Sequence, residues 1–168
     1  MPETCASDTG PILHLAEIGR AVCLNCVDAI FISPQVRAEL RQQAVHEMVF
    51  KSLEGRIHVE RVTLSEITAQ RGRLQGYNLH TADLSIAALA ERLKPDVVLT
   101  DDLQLRKALE VHGHKVVGSV GVVVRAFTHG IISRTELGTA IDELLDGSSL
   151  YTSRAFRKHV HDVLSSIV

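Results

Sequence analysis

The chain is expected to adopt an α/β fold, a three-layer α/β/α sandwich around a central, mostly parallel sheet of about five strands. Short apolar runs alternate with helical patterns through most of the 168 residues. Val97-Val98-Leu99 is apolar without alternation, as in strands covered on both faces. The segment from Thr81 to about Leu93 carries Leu84, Ala87, Ala88, Ala90 and Leu93 at helical spacing, and Pro95 stops it.

In chain order, Thr4 to Ser7 reads as a short strand with little β-branched content. A helix follows through Leu13, Leu15, Ala16 and Ile18, closed by Gly19, with Asp8 or Thr9 placed to cap it and Pro11 in its first turn. Ala29 to Ser33 is a second strand. Ser33-Pro34 then opens a helix with Val36, Leu40, Ala44 and Met48 on one side, and Gly55 ends it. Ile57 to Val62 alternates, which suits a strand near a sheet edge. A short helix from about Leu64 to Leu74 precedes the Gly76-Tyr77-Asn78 turn and the long helix at Thr81. After Val97-Val98-Leu99, Asp101-Asp102 opens a helix with Leu105, Ala108 and Leu109, ending at Gly113; Val116-Val117 is the fifth strand. From Gly121 onward the pattern is helical, punctuated by Gly130, Gly138 and Gly147. One domain over residues 1–168 is expected, with C-terminal helices from about 133 packed on it.

Composition narrows the class. Apolar residues make up 45 % and charged residues 23 %, which argues against disorder and coiled coil. No apolar run is long enough to span a bilayer, and the Met-Pro-Glu-Thr-Cys start lacks the pattern of a signal peptide. A soluble, cytoplasmic protein is the expectation. Three cysteines in a reducing compartment read as thiols, with Cys23-x-x-Cys26 a buried structural pair. His112 with His114 reads as a turn and His159 with His161 as part of a basic helix, since no nearby Cys or Glu completes a zinc set. A net charge of −2 does not mark the whole surface for nucleic acid. Local basic stretches occur at Arg71 and Arg73 and at Arg154, Arg157, Lys158, His159 and His161. Aromatics are only 4 % and there is no tryptophan, so no stacking platform is evident.

The acids are placed more informatively. Asp8 follows the first strand, Asp101-Asp102 follow Val97-Val98-Leu99, Asp83 stands in the first turn of the long helix and Glu39 lies in the helix after the second strand. Parallel sheets bind ligands outside the carboxyl ends of their strands, so these carboxylates are expected to share one crevice. Each also has a plain alternative use: an aspartate at a helix start accepts orphan N–H bonds, and Glu39 suits a solvated face. Crowded carboxylates repel until a divalent ion neutralises them, and Mg²⁺ or Mn²⁺ prefers such oxygen donors. Metal-assisted phosphodiester hydrolysis is the chemistry that pattern serves. Thr9 and Thr100, beside the acids, are candidate supporting hydroxyls, and Arg71, Arg73 and Arg106 are candidate backbone contacts.

The wording around the acids resembles the PIN-domain family, which includes the VapC-like ribonucleases of toxin–antitoxin pairs. Ser7-Asp8-Thr9-Gly10-Pro11-Ile12 is similar to its opening motif, and Ile32-Ser33-Pro34-Gln35-Val36-Arg37-Ala38-Glu39-Leu40 to its second. His80-Thr81-Ala82-Asp83-Leu84-Ser85 is similar to its third, and Val98-Leu99-Thr100-Asp101-Asp102 to its fourth. Val117-Gly118-Ser119-Val120-Gly121 and Gly130-Ile131-Ile132 resemble a subgroup known as predicted nucleic-acid-binding proteins. The resemblance implies a ribonuclease in which Asp8, Glu39, Asp83 and Asp102 are catalytic and Asp8, Asp83, Asp102 and Asp101 are metal candidates. It also implies RNA as substrate, an antitoxin protein as partner and a homodimer. The family's acid two positions after Thr100 falls on Asp102, leaving Asp101 to cap the following helix or meet solvent; the opposite register stays open. Val160, Val163, Leu164 and Ile167 suit either a dimer contact or packing of the last helix on its own domain. Two other α/β classes fit worse: no strand is followed by G-x-G-x-x-G, and a phospho-receiver would carry its acidic pair after the first strand. A non-catalytic nucleic-acid- or partner-binding module is the remaining alternative.

Overall fold

The computed structural model describes residues 3–43 and 46–167, with the backbone alone for His46, Met48, Ser166 and Ile167. The contacts expected of Ala44, Met48 and Ile167 therefore lie outside the described residues. Five parallel strands form one sheet in the order β3-β2-β1-β4-β5. They are β1 (Thr4–Ser7), β2 (Ala29–Ile32), β3 (Ile57–Val59), β4 (Val97–Leu99) and β5 (Val116–Val117). The helices are α1 (Thr9–Glu17), α2 (Pro34–Gln42), α3 (His46–Ser52), α4 (Leu64–Arg73), α5 (Thr81–Leu93), α6 (Leu103–Val111), α7 (Ser119–Thr128), α8 (Arg134–Gly147) and α9 (Arg154–Ile167). Helix α5 packs on β1 and β2, flanked by α4 and α6; α1, α7 and α8 pack on one another in the other layer. The three-layer α/β/α architecture expected from the sequence is present.

Burial explains the strand pattern. All three residues of β4 are buried, as its unbroken apolar run requires beneath helices on both faces. At the edge, β3 leaves His58 and Val59 exposed, consistent with its alternation. Despite its weak composition, β1 lies at the sheet centre with Cys5, Ala6 and Ser7 at 0 % exposure. Small residues suit that place because helices press on both sides. The Asp96 carboxylate accepts from the Thr4 N–H at 2.8 Å and its hydroxyl at 3.0 Å, tying the amino ends of β1 and β4.

Three local expectations need correction. The helix read from Pro34 to Gly55 is two helices, with Gln43 as C-cap of α2 and a new start at His46. Gly138 lies inside α8 rather than ending a helix, because Leu137, Ala140, Ile141, Leu144 and Leu145 keep a continuous buried stripe there. Gly121 lies inside α7, where it allows close approach: a Cβ would stand 2.6 Å from Val117 Cγ1. Cys23 and Cys26 sit in a buried 3-10 turn, Ala21–Cys26, as free thiols with Cys5. Burial pushes the Cys26 thiol up to about 11, so it is inert near neutral pH.

Helix α9 is fastened mainly through its amino end. Arg157 donates to the Thr152 hydroxyl at 2.8 Å, to the Asp146 carboxylate and to the Leu145 carbonyl. Val160 is buried and Leu164 packs against the core, so those residues serve their own domain, while Val163 is 39 % exposed. Among the described residues no helix is long and apolar enough to cross a membrane.

Candidate active site

Strand order changes direction at β1: β2 and β3 extend to one side, β4 and β5 to the other. The gap beyond the carboxyl ends of β1 and β4 is the switch point of the sheet. Asp8 leaves β1 there and Thr100-Asp101-Asp102 leave β4, with the Asp8 N–H donating to the Leu99 carbonyl at 2.9 Å.

Asp8 occupies the N-cap position of α1 but its side chain makes no capping bond. It is buried, at 8 % exposure, and its carboxylate accepts from the Thr100 hydroxyl at 3.1 Å. The same Thr100 oxygen accepts from the Asp102 N–H at 3.1 Å, so one buried hydroxyl joins the two acidic strand ends. Glu39 comes from α2, whose start is fixed by the Ser33 cap, and it accepts a hydrogen bond from the Thr9 hydroxyl. Asp83 lies in the first turn of α5 and accepts from the His80 N–H at 2.7 Å. Two residues on, the buried Ser85 hydroxyl shares a 2.7 Å hydrogen bond with that of Ser33, locking the start of α5 to the end of β2.

These placements bring Asp8, Glu39, Asp83 and Asp102 within electrostatic reach of one another. Burial pushes the Asp8 carboxyl up to about 7, with Asp83 and Glu39 adding to the rise while the Thr9 backbone and Thr100 hydroxyl oppose it. Asp83 is also raised, chiefly by burial, with Asp102 and Glu39 contributing and the His80 backbone opposing. None of the four pairs with a lysine or arginine among the described residues. Carboxylates that repel one another around the buried Asp8 without a cation are costly on their own. All their donors are hard oxygens, so the set fits Mg²⁺ or Mn²⁺ chemically. Among the described residues, no three His, Cys, Asp or Glu side chains already converge as a ready metal group.

The two aspartates of the doublet diverge. Asp102 is within electrostatic reach of Asp83 and caps α6, accepting from the Leu105 N–H at 2.7 Å. The expectation that Asp101 caps the following helix or meets solvent is thus corrected, because the cap of α6 is Asp102. Asp101 points toward β5 and α7. Its carboxylate accepts from the Ser119 N–H at 2.8 Å and from the Ser119 hydroxyl, and meets His14 Nδ1 at 2.8 Å. Gly118 makes room for it, since a Cβ there would lie 2.7 Å from Asp101 Oδ1.

The arginines are not gathered at the acids. Arg73 pairs with Glu91 at 2.7 Å and lines a separate hollow with Lys94, Asp96, His114 and Lys115, at the amino ends of β4 and β5. Arg71 is exposed on the last turn of α4. Arg106 reaches the crevice, but donates to the Val116 carbonyl at 3.0 Å and the Thr100 carbonyl at 3.2 Å, so it braces the loops after β4 and β5. Sequence reasoning passed over His14 and Ser119. The signal for His14 was its spacing of four from Gly10, which puts both on one face of α1 beside Asp101.

The family model of the PIN domain matches residues 4–166, nearly the whole chain and all the elements that build this site. The chain belongs to the PIN-domain family. No curated protein matches it. PIN domains are generally nucleases and typically use divalent metal ions, so this PIN domain is a nuclease-like module whose expected substrate is nucleic acid.

Proposed function

We propose that this PIN domain is a metal-dependent endoribonuclease, with Asp8, Glu39, Asp83 and Asp102 holding Mg²⁺ or Mn²⁺. The observation that carries this reading is Asp8, buried at the carboxyl end of β1 and raised first by that burial and then by Asp83 and Glu39, with no lysine or arginine paired to it among the described residues. A divalent ion held by these carboxylates would polarise a phosphate oxygen and neutralise charge developing on the leaving oxygen. The chain's own part is to pre-position. Thr100 fixes the Asp8 carboxylate, Thr9 holds Glu39, and the Ser33–Ser85 link sets α2 and α5 at the spacing that keeps Glu39 and Asp83 over the strand ends. Asp101, with its oxygens committed to Ser119 and His14, shapes the loop rather than joining the ligand set. RNA as substrate follows from the family's ribonucleases. Action as the toxin of a toxin–antitoxin pair, as a homodimer restrained by a small partner protein, is the setting that goes with it.

A panel of unstructured and structured RNAs incubated with Mg²⁺ or Mn²⁺ tests the reading. Internal cleavage that disappears on adding chelator is expected. Binding of the same RNAs without metal-dependent cleavage would instead identify a non-catalytic PIN-like module, in keeping with the absence of a converged ligand group among the described residues.

A further inference from the structure

His14 and Asp101 form a pair outside the proposed ligand set. Both line a groove of about 1090 Å³ whose lining also includes Asp8, Gly10 and Asp102. Gly10, two residues past Asp8, packs against the pair: a Cβ there would stand 3.4 Å from both His14 Cε1 and Asp101 Oδ2. The pair therefore sits at the same strand ends as the acids, with His14 one turn beyond Gly10 on α1.

The contacts decide which ring nitrogen faces outward. The Asp101 carboxylate accepts from the Ser119 N–H at 2.8 Å and from the Ser119 hydroxyl, and it meets His14 Nδ1 at 2.8 Å. A carboxylate oxygen accepts, so Nδ1 carries the proton and the tautomer is set. Among the described residues no hydrogen bond reaches His14 Nε2, yet it is not one of the side-chain atoms buried without a partner. With the His14 side chain 12 % exposed and lining the groove, Nε2 opens into it. A ring already held by its other nitrogen costs little entropy to use. Mg²⁺ and Mn²⁺ prefer oxygen donors, so the acids suit the ion and leave Nε2 to the substrate.

We propose that His14 Nε2 hydrogen-bonds a ribose 2′-hydroxyl of the substrate beside the scissile phosphate, with Asp101 and Ser119 acting through the ring as positioning residues. The contact rests on the ribonuclease reading, which puts the phosphate at the acids. A hydroxyl suits Nε2 in either protonation state, because it can donate to a lone pair or accept from an N–H, whereas a phosphate oxygen can only accept. In RNA the 2′-hydroxyl stands on the carbon next to the one that bears the 3′-phosphate, so a strand laid with its phosphate at the acids carries this group alongside. It is also the group by which a protein tells RNA from DNA at one site. The pair thus makes the site prefer RNA over DNA of the same sequence.

Fluorescence anisotropy of a labelled, unstructured oligoribonucleotide, measured in chelator, reads this contact apart from cleavage. Asparagine sets its amide nitrogen near the place of Nδ1, so His14→Asn keeps a donor to Asp101 and removes Nε2. That variant is expected to weaken RNA binding roughly three- to tenfold, at an unchanged unfolding midpoint and an unchanged affinity for DNA of the same sequence. Single 2′-deoxy substitutions moved along the strand should, at one position, cost the wild type a similar factor and cost His14→Asn nothing further. A wild type that shows no such position overturns the contact whatever the variant does. Equal losses toward RNA and DNA would assign Nε2 to a phosphate, and unchanged RNA affinity with weakened Mn²⁺ binding would assign it to the ion; either overturns the 2′-hydroxyl. Wild type that shows the coupled position but no metal-dependent cleavage would remove the nuclease reading and leave the contact standing, and cleavage without a coupled position would do the opposite.

Discussion

Replacing Asp8 with asparagine is expected to abolish metal-dependent RNA cleavage and to stabilise the metal-free fold at neutral pH by up to roughly 4 kcal/mol. The carboxyl is raised from an ordinary 3.8 to about 7 by burial and by Asp83 and Glu39. Between those values the folded state binds the proton more tightly than the unfolded chain, so stability is lost as pH rises through that window. Below it the penalty is absent; above about 7 it is fully present. Asparagine keeps the shape and removes the charge. Urea unfolding of the metal-free wild type should therefore contain a component that lowers the midpoint between about pH 4 and pH 7, and that component should be much reduced in Asp8→Asn. Adding Mn²⁺ should restore the wild type and leave the variant unchanged, because only the wild type regains an ion among its carboxylates. A variant less stable than wild type at neutral pH would show that the Asp8 charge is compensated in the metal-free fold.

Asp101→Ala is expected to lower stability by about 3 kcal/mol, a fall in Tm on the order of 10 °C for a chain of this length. Removing the carboxylate leaves the Ser119 N–H and hydroxyl and His14 Nδ1 without their acceptor, in a place where His14 and Asp101 are each 12 % exposed. Buried donors left unpaired carry the full desolvation cost. Asp102→Asn should do the reverse, since asparagine still caps α6 through Leu105 while the site loses a charge. Thermal unfolding beside a cleavage assay separates the two: Asp101→Ala stability-deficient, Asp102→Asn stable and inactive. The opposite pattern would place Asp101 in the ligand set.

Much of this was legible in the chain because the informative residues follow local rules. The unbroken Val97-Val98-Leu99 marks a doubly covered strand, and the Thr81–Leu93 stripe marks the helix that covers β1 and β2. Acids at strand ends point to the switch point, where Asp8 lies within electrostatic reach of Asp83 and Glu39, and Asp83 within reach of Asp102. What stayed hidden depends on tertiary direction. Consecutive residues leaving a strand point to different sides, but nothing local says that Asp101 turns to Ser119, seventeen residues past the doublet's end at Asp102. Arg73 shares the basic character of a phosphate contact, yet its helix places it at the amino edge of the sheet. Composition also cannot show that the two rings exposed among the described residues, Tyr151 and Phe156, stand on one groove.

The central claim is that the carboxylates at the switch point form a divalent-metal site, and calorimetric titration of Mn²⁺ into metal-free protein at neutral pH tests it most directly. The account predicts saturable binding by the wild type that is lost or greatly weakened in Asp83→Asn, whose circular dichroism and unfolding midpoint show an intact fold. A wild type that takes up no Mn²⁺, or an Asp83→Asn variant that binds it as tightly, would contradict the account.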